Sequence, residues 1–170
     1  LSADLYTSSS ATLAKITNSY LLEVKDAGTS IASELQSNSH VSSFNIKDTS
    51  SNIGSALLAN SSIADMSKIS SIDVTSDDGA IDLTQSQYEL LSDSISQITG
   101  SFRLKISDVL IGDLSTTLSE PHVISAGLSA SSSDISASFD ELSNLGDSLT
   151  SITVSNASTP IALTYEQWSD

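Results

Sequence analysis

The sequence predicts an α/β fold: a right-handed β-α solenoid with one parallel sheet along one wall and helices on the other side. Three observations carry this expectation. The chain repeats itself, so that Tyr6, Val24, Asp26, His40 and Ile53 recur as Tyr88, Ile106, Asp108, His122 and Ile135, all at one constant spacing. Further along the spacing tightens slightly, turning Ile72, Val74, Ile81, Leu83 and Gln87 into Ile152, Val154, Ile161, Leu163 and Gln167. Within each large repeat, short alternating segments give way to apolar residues at helical spacing, the periods of a half-buried strand and of an amphipathic helix.

The alternating segments come first in each rung: Leu22-Glu23-Val24-Lys25, Phe44-Asn45-Ile46-Lys47, Ile72-Asp73-Val74-Thr75 and Ile152-Thr153-Val154-Ser155. Turns of short polar residues are expected after them, at Asp26-Ala27-Gly28, Asp48 to Asn52 and Ser76 to Gly79, because such side chains bond nearby backbone. Helices follow, on the stripes Ile31–Leu35, Ile53–Leu57–Leu58 and Ile135–Phe139–Leu142, with Asn52 and Asp134 on turn or cap duty. Small-residue turns at Ser70-Ser71 and Thr99-Gly100 are expected to close them. The third rung adds a second strand, Ile81-Asp82-Leu83, and then a capping box from Thr84 to Gln87, repeated from Thr164 to Gln167. Its helix is expected to run through Tyr88, Leu91, Ile95 and Ile98, and Leu5, Tyr6, Leu13 and Ile16 mark the matching stripe near the start. Residues 1–19 then read as a partial rung, 20–100 as a first three-rung repeat and 101–170 as a second, truncated one, all in one solenoid cut from a longer array. The plan is that of leucine-rich repeats without their leucine signature. A doubly wound α/β domain competes, but it needs near-continuous apolar strands.

Composition narrows the partners. A net charge of −15 rests on 21 acidic and only six basic residues, so nucleic acid and anionic membrane surfaces are not expected partners. Cysteine is absent, which removes disulfides, thiolate metal sites and cysteine nucleophiles. No apolar run reaches the ~20 residues of a membrane helix.

The segments Phe44-Asn45-Ile46-Lys47-Asp48-Thr49 through Ile53, and Ile69-Ser70-Ser71-Ile72-Asp73-Val74-Thr75 through Leu83-Thr84, resemble repeats of very large bacterial secreted or surface proteins. These are proteins of the RTX-like, hemolysin-type calcium-binding adhesin kind. The resemblance covers nearly the whole chain and implies an extracellular or cell-surface location and no catalytic residues. The calcium-binding nonapeptide Gly-Gly-x-Gly-x-Asp does not occur here.

The densest acidic turn supplies the calcium candidates Asp73, Asp77, Asp78 and Asp82, since calcium takes several hard oxygens from flexible loops. The preferred reading of the same turn is exposed carboxylates bonding their own backbone, with no metal, and its counterpart from Asn156 to Pro160 has no carboxylate. His40 and His122 are repeat equivalents, and a structural role is expected of both. The reading is therefore a non-enzymatic structural segment, a spacer or adhesive stalk whose partners are neighbouring repeats of the same parent chain. The alternative is a module binding a glycan or protein on the outward face of Glu23, Lys25, Asn45, Lys47, Asp73, Arg103 and Lys105.

Overall fold

A computed structural model describes residues 1–59, 62–76, 79–156 and 159–169. The chain opens with helices α1 (Ala3–Ser8) and α2 (Ser10–Leu13), then β1 (Leu22–Ala27), α3 (Ala32–Ser37), β2 (Val41–Asp48), α4 (Ser50–Leu57) and β3 (Ile69–Val74). Next come β4 (Ile81–Thr84), α5 (Gln85–Leu90), α6 (Ser92–Ile95) and the short β5 (Ile98–Thr99). The rest is β6 (Leu104–Leu110), α7 (Leu114–Ser119), β7 (Val123–Ala130), α8 (Ser132–Ala137), α9 (Phe139–Ser143), β8 (Leu149–Val154) and α10 (Tyr165–Ser169).

The fold is mixed α/β, but the strands form two four-stranded sheets rather than one, ordered β1-β2-β3-β5 and β4-β6-β7-β8. The reason lies in the third rung, whose two strands part company: β3 joins the first sheet and β4 the second. The chain accordingly divides into two compact units, residues 1–81 with 91–102, and residues 82–90 with 103–170. In each sheet the strands follow in chain order, without the reversal that marks a doubly wound domain.

In the first unit the inward residues Val24, Ala27, Phe44, Ile46 and Ile72 are buried with Leu35, Ile53 and Leu57 of the helices. Ser2 forms a parallel bridge with Lys25, and the Lys25 amide donates to the Leu1 carbonyl over 2.7 Å, so Leu1-Ser2 lies against β1. In the second unit Leu104, Ile106, Val109 and Leu128 are buried with Leu114, Ile135 and Leu142. Tyr6 and Tyr88 hold equivalent places. Asn38 donates to the Tyr6 hydroxyl, which donates to Glu34; Tyr88 bonds Glu120, the equivalent of Asn38. Burial pushes both phenols up; Asn38 opposes this at Tyr6 while Glu34 adds to it, and Glu120 adds to it at Tyr88.

The two sheets share a device that alternation alone does not reveal. Near the start of four ladders, β1–β2, β2–β3, β6–β7 and β7–β8, the register slips by one residue, skipping Ser42, Ser70, Ile124 and Thr150 in turn. A bulge leaves a ladder carbonyl without its amide. The Ser42, Ser70 and Thr150 hydroxyls donate to the carbonyls of Leu22, Phe44 and Ala126 over 3.0, 3.1 and 3.1 Å. Ile124 has no hydroxyl to give.

Several local expectations need correction. Asp26-Ala27-Gly28 is not a turn: β1 continues to a fully buried Ala27, with Asp26 at φ 57° inside the strand. Asp108 does the same in β6. Asp tolerates the left-handed region better than most residues, and the extra residue lets Ala27 and Val109 point inward again. Ser70 and Ser71 belong to β3, and Ile98 leaves the helix to form β5. Leu5 and Ile16 are half exposed rather than part of a buried stripe. Asn52 and Asp134 lie inside α4 and α8; the caps are Thr49 and Ser131, whose hydroxyls accept from the Asn52 and Asp134 amides. The capping boxes form as expected. The Thr84 amide donates to Gln87 Oε1 over 2.8 Å and the Gln87 amide to Thr84 Oγ1 over 3.2 Å. Thr164 and Gln167 repeat both bonds.

Candidate functional site

The outward face of the first sheet carries a continuous polar network. The Asp26 amide donates to Asn45 Oδ1 over 3.0 Å, and Asn45 Nδ2 donates to Asp73 Oδ2 over 3.2 Å. Ser71 and Thr99 donate their hydroxyls to the same Asp73 carboxylate. Lys47 lies 3.6 Å from Asp26, but the two side chains are 48% and 59% exposed. In so much solvent the pair adds at most about 1 kcal/mol. The left-handed turn of Asp26 is what aims its amide at Asn45, and strand register sets Asn45 beside Ser71.

The second sheet presents the same face without that network. Gly127 stands where the first repeat has Asn45, Ser129 where it has Lys47, and Thr153 where it has Asp73. The absent side chain leaves a groove of about 380 Å³ lined by Asp82, Thr84, Gln87, Lys105, Ser107, Gly127 and Thr150 among others. A Cβ on Gly127 would stand 2.7 Å from the Ser151 hydroxyl, so any larger residue there must push into this space. Asp82 and Lys105 bring the charges, and both are exposed. Next to Gly127 on β7, two residues earlier, Ser125 is 4% exposed and its hydroxyl is buried without a partner. The wall of the groove offers hydrogen-bond donors and acceptors from Asp82, Thr84, Gln87, Lys105 and Ser107.

The most strongly held carboxylate lies at the end of β2. Burial alone pushes the Asp48 carboxyl up. Bonds from the Asn52 amide nitrogen, the backbone amides of Thr29 and Thr49 and the Thr29 hydroxyl outweigh it, holding the carboxyl below its ordinary value. Four donors at 2.7 to 2.9 Å tie the strand end to the turn at Thr29–Ile31 and to the first turn of α4. This is a clamp, with its acceptors occupied.

Of the calcium candidates, Asp73 belongs to the first sheet's network and Asp82 to the second unit's groove. Asp77 and Asp78 lie outside the described residues. Among the described residues no group of three or more His, Cys, Asp or Glu is gathered as a metal site would require. His40 stacks on Tyr20 with ring centroids 4.2 Å apart. The His40 and His122 carbonyls accept from Leu22 and Leu104, the first residues of β1 and β6, over 2.7 and 2.8 Å. Glu23, Lys25, Lys47, Arg103 and Lys105 are exposed, and Asn45 and Asp73 are half-buried by their mutual bonds. The sequence reading did not single out Gly127, although aligning the repeats on Tyr6 and Tyr88 sets it against Asn45 and marks the gap.

No family model, curated protein or solved structure matches the chain. Among the described residues no helix is long and apolar enough to cross a membrane.

Proposed function

We propose that the chain is a structural repeat segment, a spacer or adhesive stalk built as a right-handed β-α solenoid, in a large secreted or cell-surface bacterial protein. The observation that supports this is the recurrence of one rung-to-rung device. A buried serine at the start of a helix, Ser50 or Ser132, donates its hydroxyl to the Gly79 or Thr159 carbonyl beyond the following strand, over 2.8 and 2.6 Å. In both large repeats the second rung thereby closes on the third through the same bond, the kind of contact by which stability spreads in a nearest-neighbour stack. The acidic exterior, poor in lysine and arginine, suits a soluble surface protein. Hydrogen exchange tests the reading. A stack opens from its ends, so β1 and β8 amides should exchange at lower free energy than those of β2 and β7. Uniform protection across the strands of each sheet would sink it.

The groove at Gly127 supports a second reading, a binding module for a glycan or a peptide. Its polar wall offers donors and acceptors on a rigid sheet face. A screen of glycans and peptides that finds no ligand lost on Gly127→Asn substitution would count against it.

A further inference from the structure

In the first repeat the place above the middle strand is filled by a carboxamide. Asn45 Oδ1 accepts from the Asp26 amide over 3.0 Å, and Asn45 Nδ2 donates to Asp73 Oδ2 over 3.2 Å. The left-handed backbone of Asp26, at φ 57°, aims its amide there, and Asp108 has the same φ in the second repeat. The Asp108 amide therefore points to the equivalent place above Gly127, which has no side chain to accept from it. On the far side Ser151, opposite Gly127 on β8, holds its hydroxyl 2.7 Å from where a Cβ of residue 127 would stand. Gly127 lies in β7 between β6 and β8, so this opening belongs to the face of the sheet and not to its edge. A second observation points to a ligand. Strand register sets Ser125 opposite Lys105, which lines the groove, and the Ser125 hydroxyl is buried with no partner among the described residues. A buried hydroxyl left unpaired is destabilising, and a polar group seated beside it would remove that penalty.

We propose that the groove at Gly127 binds an N-acetylated amino sugar, whose acetamido group takes the place that the Asn45 side chain has in the first repeat. The acetamido carbonyl accepts from the Asp108 amide, and its N–H donates to the Ser151 hydroxyl. The sugar ring lies in the groove, where its hydroxyls meet the Asp82 carboxylate, the Lys105 ammonium and the hydroxyls of Thr84 and Thr150. Sugar hydroxyls both donate and accept, which suits a wall that holds an acceptor, a donor and groups able to do both. An asparagine-bearing peptide carries the same carboxamide. Peptides read a sheet by adding to its edge, however, and this groove crosses β4, β6, β7 and β8 on the face. The proposal rests on the binding-module reading above and names its ligand.

Asp108 is exposed, so water competes for its amide and the affinity for one sugar residue is low. The test follows the backbone amides of the full chain by NMR while N-acetylglucosamine or glucose is added to about 50 mM. The expected result is a saturable shift of the Asp108 amide with N-acetylglucosamine. Glucose should bind about tenfold more weakly, having lost two hydrogen bonds. Gly127→Asn should abolish sugar binding, because the new side chain takes the Asp108 amide as Asn45 takes that of Asp26. Without sugar, the Asp108 resonance of this variant should already be displaced in the direction that N-acetylglucosamine moves it in the wild type. If the variant does not fold, the comparison of the two sugars on the wild type still decides. Glucose binding as tightly as N-acetylglucosamine overturns the proposal, as do groove shifts that leave Asp108 unmoved; either result keeps the binding-module reading. An asparagine tripeptide blocked at both ends that binds more tightly than the sugar overturns the proposal in favour of a peptide. No shift from either sugar overturns it too, and the wider screen of glycans and peptides then judges the binding-module reading separately.

Discussion

The middle strands of the two sheets occupy equivalent places and carry opposite loads. β2 reads Phe44-Asn45-Ile46-Lys47-Asp48, and β7 reads Ala126-Gly127-Leu128-Ser129-Ala130. At the outward positions the first strand has Asn45 and Lys47 where the second has Gly127 and Ser129, and at the strand end it has Asp48 where the second has the buried Ala130. Yet both strands have the same bulge, both precede a Thr or Ser cap, and both bury the serine that follows it. The fold is therefore maintained by devices close to the backbone and by the aliphatic inward residues. The outward side chains are free to differ, and there the two repeats present different surfaces to a partner.

The largest effect should come from exchanging inward residues. Phe44 is 1% exposed. Phe44→Ala should cost about 3–5 kcal/mol through lost burial and the cavity left behind. Its equivalent is already Ala126, in a core packed for that size, so Ala126→Phe should cost about 1–3 kcal/mol by overpacking. Urea unfolding measures both. If Phe44→Ala were nearly neutral, the first unit would be using its core as loosely as the sheet face.

The Asp48 clamp comes next. Asp48→Ala copies the second repeat, which has Ala130, and should lose about 2 kcal/mol at neutral pH. The folded carboxyl lies below its ordinary value. Its contribution is therefore present above the unfolded pKa of about 3.9 and disappears as pH falls through the folded value. Wild type and variant should thus begin to converge in stability as pH falls below about 4 and meet only below the lower, folded value. A difference that persisted in acid would assign the loss to packing. The reverse graft, Ala130→Asp, should destabilise: Ile111 and Asp134 stand where Thr29 and Asn52 donate in the first repeat.

The serine staples are smaller and should be alike. Ser50→Ala and Ser132→Ala each strand a carbonyl partner, at Gly79 or Thr159. Each substitution should cost about 1 kcal/mol, the net worth of one hydrogen bond. The Ser132 amide also donates to Asn156 Oδ1, a bond that alanine keeps, while the longer 3.3 Å contacts of the Ser132 hydroxyl with the Asn156 oxygens are lost with the staple, so Ser132→Ala should cost as much as Ser50→Ala or slightly more.

Much of this plan was legible in the sequence, for particular reasons. The strands at Leu22, Phe44 and Ile72 showed because period-two alternation survives wherever one face is buried, and the strand at Ile152 showed because it repeats the one at Ile72. The boxes at Thr84 and Thr164 showed because the hydroxyl and the Gln amide stand at the spacing their bonds require. Asp26 and Asp108 misled because a left-handed residue inside a strand has the composition of a turn. The division into two sheets was hidden because alternation places a strand without naming its neighbour. The groove was hidden for the opposite reason: Gly127 is informative only through what Asn45 does elsewhere.

Gly127→Asn restores the first repeat's residue and sharpens that point. The Ser151 hydroxyl can rotate away from the new Cβ. Replacing a strand glycine also recovers about 0.5–1 kcal/mol of backbone entropy. Stability should therefore change little or rise slightly, while the groove fills. A large loss would mean that β7 needs its glycine for close packing.

The smallest expected effect tests the shared device itself. Ile124 is the one skipped residue without a hydroxyl, among Ser42, Ser70 and Thr150, and it is 41% exposed. Threonine keeps the β-branch that suits a strand and can reach the Leu104 carbonyl as Thr150 reaches that of Ala126. Ile124→Thr should raise stability by about 0.5–1 kcal/mol, the net worth of one hydrogen bond, and Ile124→Val should not. The pair separates the hydroxyl from the shape. If threonine gives no more than valine, the three observed bonds accompany the bulge without stabilising it, and the repeat is held by its serine staples and aliphatic core alone.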